Sequence, residues 1–243
     1  MTSVAPEARA SSSSGPPSIP DRLSSSDPKR TSSGPPPALP SYDAIVLAGA
    51  RSRRMSGQDK AEVLVGGRRL IDRALEAVSG ADRTVVVGPR RPVDRAVEWT
   101  SERPPDGGPA AALRAGIRIL CVSSEIVVLL AVDLPLVGAA LVSRLVGELA
   151  HHTGTGPRPE GVILCDASGR DQPLAGAYLS GRLRGVLAPG DLTGASLRGV
   201  LAPLRLKRVP EAEATHDCDT WADVEAAERN SRQEGEGLGR LDR

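Results

Sequence analysis

An alternation constrains this chain more than any other feature. Strand-like runs at residues 44–47, 84–87, 126–132, 161–165 and 204–209 are separated by stretches with helical spacing. A short apolar run without polar alternation suits a strand covered on both faces. Between the runs, Ile71, Leu75 and Val78 mark one helical stripe, and Leu141, Leu145 and Leu149 mark another. Residues 109–120 open with a proline, whose preset φ and missing N–H suit a first helical turn. Trp221, Val224 and Glu225 open a last helix, with Asp219 placed as its N-cap. Residues 166–180 read as a turn followed by a short strand. Together these predict an α/β fold, a three-layer α/β/α arrangement around a mostly parallel sheet.

The alternation begins at Ser41 and fades after residue 230, which predicts one domain over 41–230. Residues 1–40 are Ser- and Pro-rich with few apolar side chains, and predict a disordered tail. Their start carries no apolar segment of the kind found in a secretory signal. Residues 231–243 read as a frayed end. Net charge is +1 over 243 residues, so there is no basic field for nucleic acid. With no Phe, two Trp and two Tyr, stacking platforms for single strands are missing as well. No apolar run is long enough to span a membrane. Cys121, Cys165 and Cys218 are odd in number and far apart. That argues against a disulfide framework or a zinc site, and for a reducing cytoplasm.

The chemistry concentrates where strands end. Residues 44–60, AIVLAGARSRRMSGQDK, run an apolar strand into a loop holding Gly49, Ser52, Ser56 and Gly57. Small residues let backbone N–H groups approach a ligand closely. Arg51, Arg53, Arg54 and Lys60 against the one carboxylate of Asp59 select an anion. Nucleotides bind at such strand ends in α/β proteins, although an Arg-rich surface turn has the same composition. The glycines follow neither the P-loop nor the GxGxxG spacing. Residues 126–137, IVVLLAVDLPLV, lead a second strand into Asp133, ahead of Pro135. A buried carboxylate there needs a cation, a metal or several donors. The same residue also suits the N-cap of a following helix. Gly107, Gly108 and Pro109 make a tight turn that opens a helix, either an anion site or an ordinary surface turn. Asp171 and Gln172 precede an apolar strand. Asp217 and Asp219 are two apart in an extended segment, so both point to one side. That suits a divalent metal, and Asp219 as a plain cap fits equally.

Taken in order, LAGARSRRMSGQDK, GGRRLIDRAL, VVVGPRR, PPDGGPAAALRAG, LLAVDLPLV, RDQPLAGAY and DCDTWADVEAA resemble the molybdenum cofactor guanylyltransferase family. That family lies within the nucleotidyltransferases sharing the GT-A-like, Rossmann-like fold. The resemblance covers about residues 42–229. It implies transfer of GMP from GTP to the terminal phosphate of molybdopterin, with Mg²⁺ and release of pyrophosphate. It implies that the backbone of Leu47, Ala48, Gly49 and Ala50 holds the nucleotide, with Glu102, Gly108 and Pro109 beside it. Lys60 and Arg54 would spread the charge of the leaving pyrophosphate. Asp133 would bind Mg²⁺, with Asp219 as a second metal ligand. Asp171, Gln172, Asp217 and Asp219 would face the acceptor. The implied partners are GTP and molybdopterin, with room for a protein that hands the cofactor over.

The pattern departs from the family in three places, the mildest being Met55-Ser56-Gly57 for the usual MGG, since Ser56 can still hydrogen-bond phosphate. Ala50 stands where a second glycine is usual, and a methyl group is unwelcome if that position needs positive φ. Glu62 puts a carboxylate where relatives are apolar. Two competing readings stay open. One is the same fold acting as a cytidylyltransferase, or as a guanylyltransferase for another cofactor. The other is a degenerate nucleotide-binding protein without turnover.

Overall fold

Burial on both faces of the strands decides the architecture. The computed structural model describes residues 39–49, 57–120, 124–152 and 154–238. The first apolar run forms β1 (Tyr42–Leu47). A short 3₁₀ turn (Lys60–Glu62), a hairpin of β2 (Leu64–Val65) and β3 (Arg68–Arg69), and α1 (Leu70–Ala77) follow. Then come β4 (Thr84–Val87), β5 (Glu98–Thr100), α2 (Pro109–Ile119), β6 (Ile126–Ala131) and α3 (Ala139–Ala150). The second half holds β7 (Gly161–Cys165), β8 (Asp171–Leu179), α4 (Ser180–Leu187), α5 (Leu197–Leu201), β9 (Leu206–Pro210) and α6 (Trp221–Leu238).

Among the described residues the main sheet has seven strands in the order β5-β4-β1-β6-β8-β7-β9. β5, β4, β1 and β6 pair in parallel, as do β7 and β9. Only β8 runs against its neighbours. Alternate residues of β1 feed two cores. Ala44 and Val46 pack with α1 and α3, while Ile45 packs with Leu113 and Ile117 of α2 on the other face. The three-layer, mostly parallel α/β reading therefore holds.

Three details differ from the expected elements. β8 is nine residues long, not short, and it is antiparallel. Its direction follows from the tight turn before it, where Asp166 accepts from the N–H groups of Ser168 and Arg170. A turn that short can join only antiparallel neighbours. β5 has no apolar run to announce it, because its Glu-Trp-Thr sequence lies at the sheet edge. The last helix continues to Leu238, beyond the boundary at 230. Residues 1–38 lie outside the described residues.

The register gathers the carboxyl ends of the central strands. Leu47 pairs with both Val87 and Ala131. Beyond that row, the Ala48 N–H donates to the Val87 carbonyl at 2.8 Å, and the Val132 N–H to the Leu47 carbonyl at 3.0 Å. The turns after β1, β4 and β6 thus start side by side.

Candidate active site

Asp133 leaves β6 two residues after its last strand position, in a turn that α3 does not begin until Ala139. Gly138, not Asp133, is the N-cap of α3. The carboxylate is spent instead on Lys60, whose Nζ donates to Asp133 Oδ2 at 2.9 Å and also to Asp219 Oδ1. Lys60 is 5% exposed. Three turns distant in sequence therefore meet on one ammonium.

Asp219 is available for this because it does not cap the last helix. Thr220 does so: its Oγ1 accepts from the Asp223 N–H at 3.3 Å, while Asp223 Oδ2 accepts from the Thr220 N–H at 2.7 Å. This reciprocal pair is a capping box, and it corrects the expected N-cap by one residue. The Asp219 N–H is held by Asp223 as well, at 3.1 Å. The segment is pinned from the other side by the Cys218 N–H, which donates to the Asp133 carbonyl at 2.9 Å.

The charges of this cluster act on one another. Burial by itself pulls Lys60 down, but Asp133 and Asp219 outweigh it and hold its pKa above the ordinary 10.5. Burial raises Asp217, and the like charges of Asp219 and Asp133 raise it further. Burial, then Asp133, pushes the Cys218 thiol up to about 12, so it stays protonated and unreactive. Carboxylate oxygens gathered in one place suit a hard cation. No three His, Cys, Asp or Glu side chains form a ready-made metal cage among the described residues. Mg²⁺ does not require one, since it binds through one or two carboxylates and completes its shell with phosphate oxygens and water. The all-oxygen donors Asp133 and Asp219 fit such an ion.

Beside the cluster lies the turn after β1. Gly88 (φ +147°) packs so closely on it that a Cβ would come within 2.7 Å of the Ala48 carbonyl carbon and oxygen. Gly49, Gly88, Arg90, Trp99, Glu102 and Asp106 border a cleft of about 660 Å³. The structure thus brings Glu102 and Gly49 to one cleft. Gly108 caps α2 with φ 87°, and Pro109 is its first residue; neither lines that cleft, whose lining reaches Asp106, two residues before Gly108. Asp59, the carboxylate set against the four cations, is itself neutralised. Its Oδ1 accepts from the Ala61 N–H at 3.1 Å and its Oδ2 from Arg91 at 2.7 Å. Glu62 is offset likewise, by Arg69 at 3.4 Å and Arg91 at 3.5 Å.

Other predicted residues stand apart from the Lys60 cluster. Asp171, the first residue of β8, is engaged by Arg208 of β9 at 2.6 and 3.0 Å. Gln172 follows it on β8, paired with Leu164. Ala50 and Arg54 lie outside the described residues. The sequence reading assigned no role to Gly88, Arg91 or Trp99. The available signal was a glycine directly after an apolar strand with two arginines close behind it.

A strand-end turn, a lysine and paired aspartates on this sheet agree with one family. A family model for the MobA-like NTP transferase domain matches residues 44–209. The chain belongs to the MobA-like NTP transferase family. A Haloferax mediterranei relative, a probable molybdenum cofactor guanylyltransferase, is 34% identical over 122 residues, 46% of this chain and 57% of that protein. The chain thus matches little more than half the length of that relative. Among solved structures, molybdopterin-guanine dinucleotide biosynthesis protein A from Archaeoglobus fulgidus superposes with a TM-score of 0.62 at 22% identity, over 79% of this chain and 99% of that one. A Mycobacterium tuberculosis protein, solved as a complex with manganese, gives a TM-score of 0.58 at 18% identity over 78% of this chain and 98% of that one. At these identities the structural likeness is one of fold. Within the described residues, no helix is long and apolar enough to cross a membrane.

Proposed function

We propose that this member of the MobA-like family is a cytoplasmic, Mg²⁺-dependent guanylyltransferase that transfers GMP from GTP to molybdopterin. The observation that carries the reading is Lys60 held between Asp133 and Asp219, beside the turn after β1. The name borne by the curated relatives supports the choice of substrates.

The reaction is an in-line displacement. A terminal phosphate oxygen of molybdopterin bonds to the α-phosphorus of GTP. The bond from that phosphorus to the bridging oxygen breaks, and the electron pair leaves with pyrophosphate. The attacking phosphate is already ionised at neutral pH, so no side chain needs to take a proton. Positioning and charge neutralisation supply the catalysis. Lys60 stays protonated between its carboxylates and meets the negative charge of the phosphates. Arg54 would share that task on the leaving side. Asp133 and Asp219 would hold Mg²⁺, which when bound neutralises and orients the triphosphate. The backbone of Leu47, Ala48, Gly49 and Ala50 would hold the nucleotide, with Glu102, Gly108 and Pro109 beside the base. Asp217 and Asp219 would face the acceptor, and at Asp171 and Gln172 it would meet the Asp171–Arg208 pair. The pairing of Glu62 with Arg69 and Arg91 speaks for an active enzyme over a degenerate one, because that carboxylate is already neutralised.

The test is pyrophosphate release by the purified chain with molybdopterin, Mg²⁺ and each of GTP, CTP and ATP in turn. Release with GTP alone is expected. Release with CTP moves the protein to the cytidylyl branch. A folded protein that binds GTP and releases nothing has a different acceptor or is the degenerate reading.

A further inference from the structure

Arg91 is buried, at 9% exposure, and it lies on no regular element. A buried guanidinium is retained only where its donors are used. Here they reach two separate stretches of chain. Nη1 donates to the Ala48 carbonyl at 3.3 Å, on the turn that leaves β1. Nη2 donates to Asp59 Oδ2 at 2.7 Å, and Nε faces Glu62 Oε1 at 3.5 Å. Asp59 and Glu62 flank Lys60 in sequence, and the other Asp59 oxygen caps the 3₁₀ turn that carries it. The guanidinium carbon lies 6.0 Å from the centre of the Trp99 ring. One planar fork therefore ties the exit of β1 to the turn that presents Lys60. A lysine cannot do this, because its ammonium is a point donor and not a fork.

We propose that Arg91 is a positioning residue: it holds Lys60 in register with the Ala48 turn, so that backbone and ammonium meet the same nucleotide. The catalytic part of this inference rests on the guanylyltransferase reading above. Arg91 itself touches neither reacting group.

The experiment uses the full chain labelled with ¹³C at the lysine ε-carbon. The chain has three lysines, Lys29, Lys60 and Lys207, so the spectrum holds few signals, and Lys60→Arg identifies the one from Lys60. In Arg91→Ala the Lys60 signal moves while that of Lys207, on β9, stays in place as the internal control. Free guanidinium added to Arg91→Ala returns the Lys60 signal toward its original position. Arg91→Lys gives an intermediate shift, and it decides the matter by the same signal if Arg91→Ala does not fold. Where the wild-type chain turns over GTP, Arg91→Ala loses on the order of 100-fold in kcat, the scale of a misplaced catalytic contact, while KM for GTP changes far less. Arg158→Ala, which breaks an exposed pair with Glu125, leaves both readouts unchanged. A Lys60 signal that does not move in folded Arg91→Ala overturns the proposal. A wild-type chain that releases no pyrophosphate overturns the guanylyltransferase reading instead, and the lysine spectrum still decides the role of Arg91.

Discussion

Two ion-pair systems differ in what their charges are for. Around Lys60 the side chain is 6% exposed, and its ammonium is shared by Asp133 and Asp219, whose charges also reach Asp217. Between Asp171 and Arg208 the count is one to one, both guanidinium bonds are made, and Arg208 is 57% exposed. The second pair joins the two strands that flank β7, with its guanidinium in water and the Asp171 side chain 18% exposed, so solvent screens it from the arginine side. The first turns on one buried ammonium shared by two carboxylates, and burial together with the charges of Asp219 and Asp133 keeps Asp217 reluctant to ionise. The lesson is that a salt bridge marks chemistry when one buried charge gathers groups from distant segments of the chain, and not merely when its distance is short.

That contrast can be broken in four ways. Lys60→Met should do the most damage to folding, about 3 kcal/mol, the low end for an orphaned buried charge because Asp219 is partly solvated. Urea unfolding reads this, and a loss as small as that of a surface pair would erase the distinction. Asp133→Asn should cost at least about 2–3 kcal/mol of transition-state stabilisation, as for one key electrostatic contact. Pyrophosphate release at saturating Mg²⁺ measures it, and ordinary turnover would refute the metal assignment. Asp217→Asn should act in the opposite direction on stability. The folded-state pKa of Asp217 is raised above 3.8, so the stability linked to it is fully present below that value and is lost as pH rises through the raised one. At neutral pH the ionised carboxylate opposes folding, and the amide should raise Tm there in the absence of divalent cations. The gain should vanish in acid, and melting curves across pH would expose a wrong sign. Arg208→Ala should change stability by only about 0.2–1 kcal/mol, with the remainder screened by salt. A larger loss would mean that this pair carries more than its exposure suggests.

Much of the frame was legible before any coordinates. The runs at 84–87 and 161–165 coincide with β4 and β7, and the stripes through Ile71 and Leu145 fall on α1 and α3. Apolar periodicity is a local property, written by which faces a segment must bury. β5 was missed because its burial comes from the neighbour it pairs with at the sheet edge, not from its own composition. At the site, Lys60 and Asp133 were singled out by residue type and by their places after strands, and Asp219 by its spacing from Asp217 ahead of a helix. The capping choice at Asp219 was misread, since Asp219 and Thr220 are adjacent and equally able to cap, and only the docking of Asp219 on Lys60 separates them.

The sequence by itself determined the layers of this protein, the parallel core strands and the family to which the chain belongs, because hydrophobic spacing and short motifs act over a few residues. The tertiary structure alone decided which charges meet. Lys60 and Asp219 are 159 residues apart, and Arg91 reaches back 43 residues to Ala48. Electrostatic partnership depends on distance in space and on the water excluded between the partners, and neither is written in the spacing of residues along the chain.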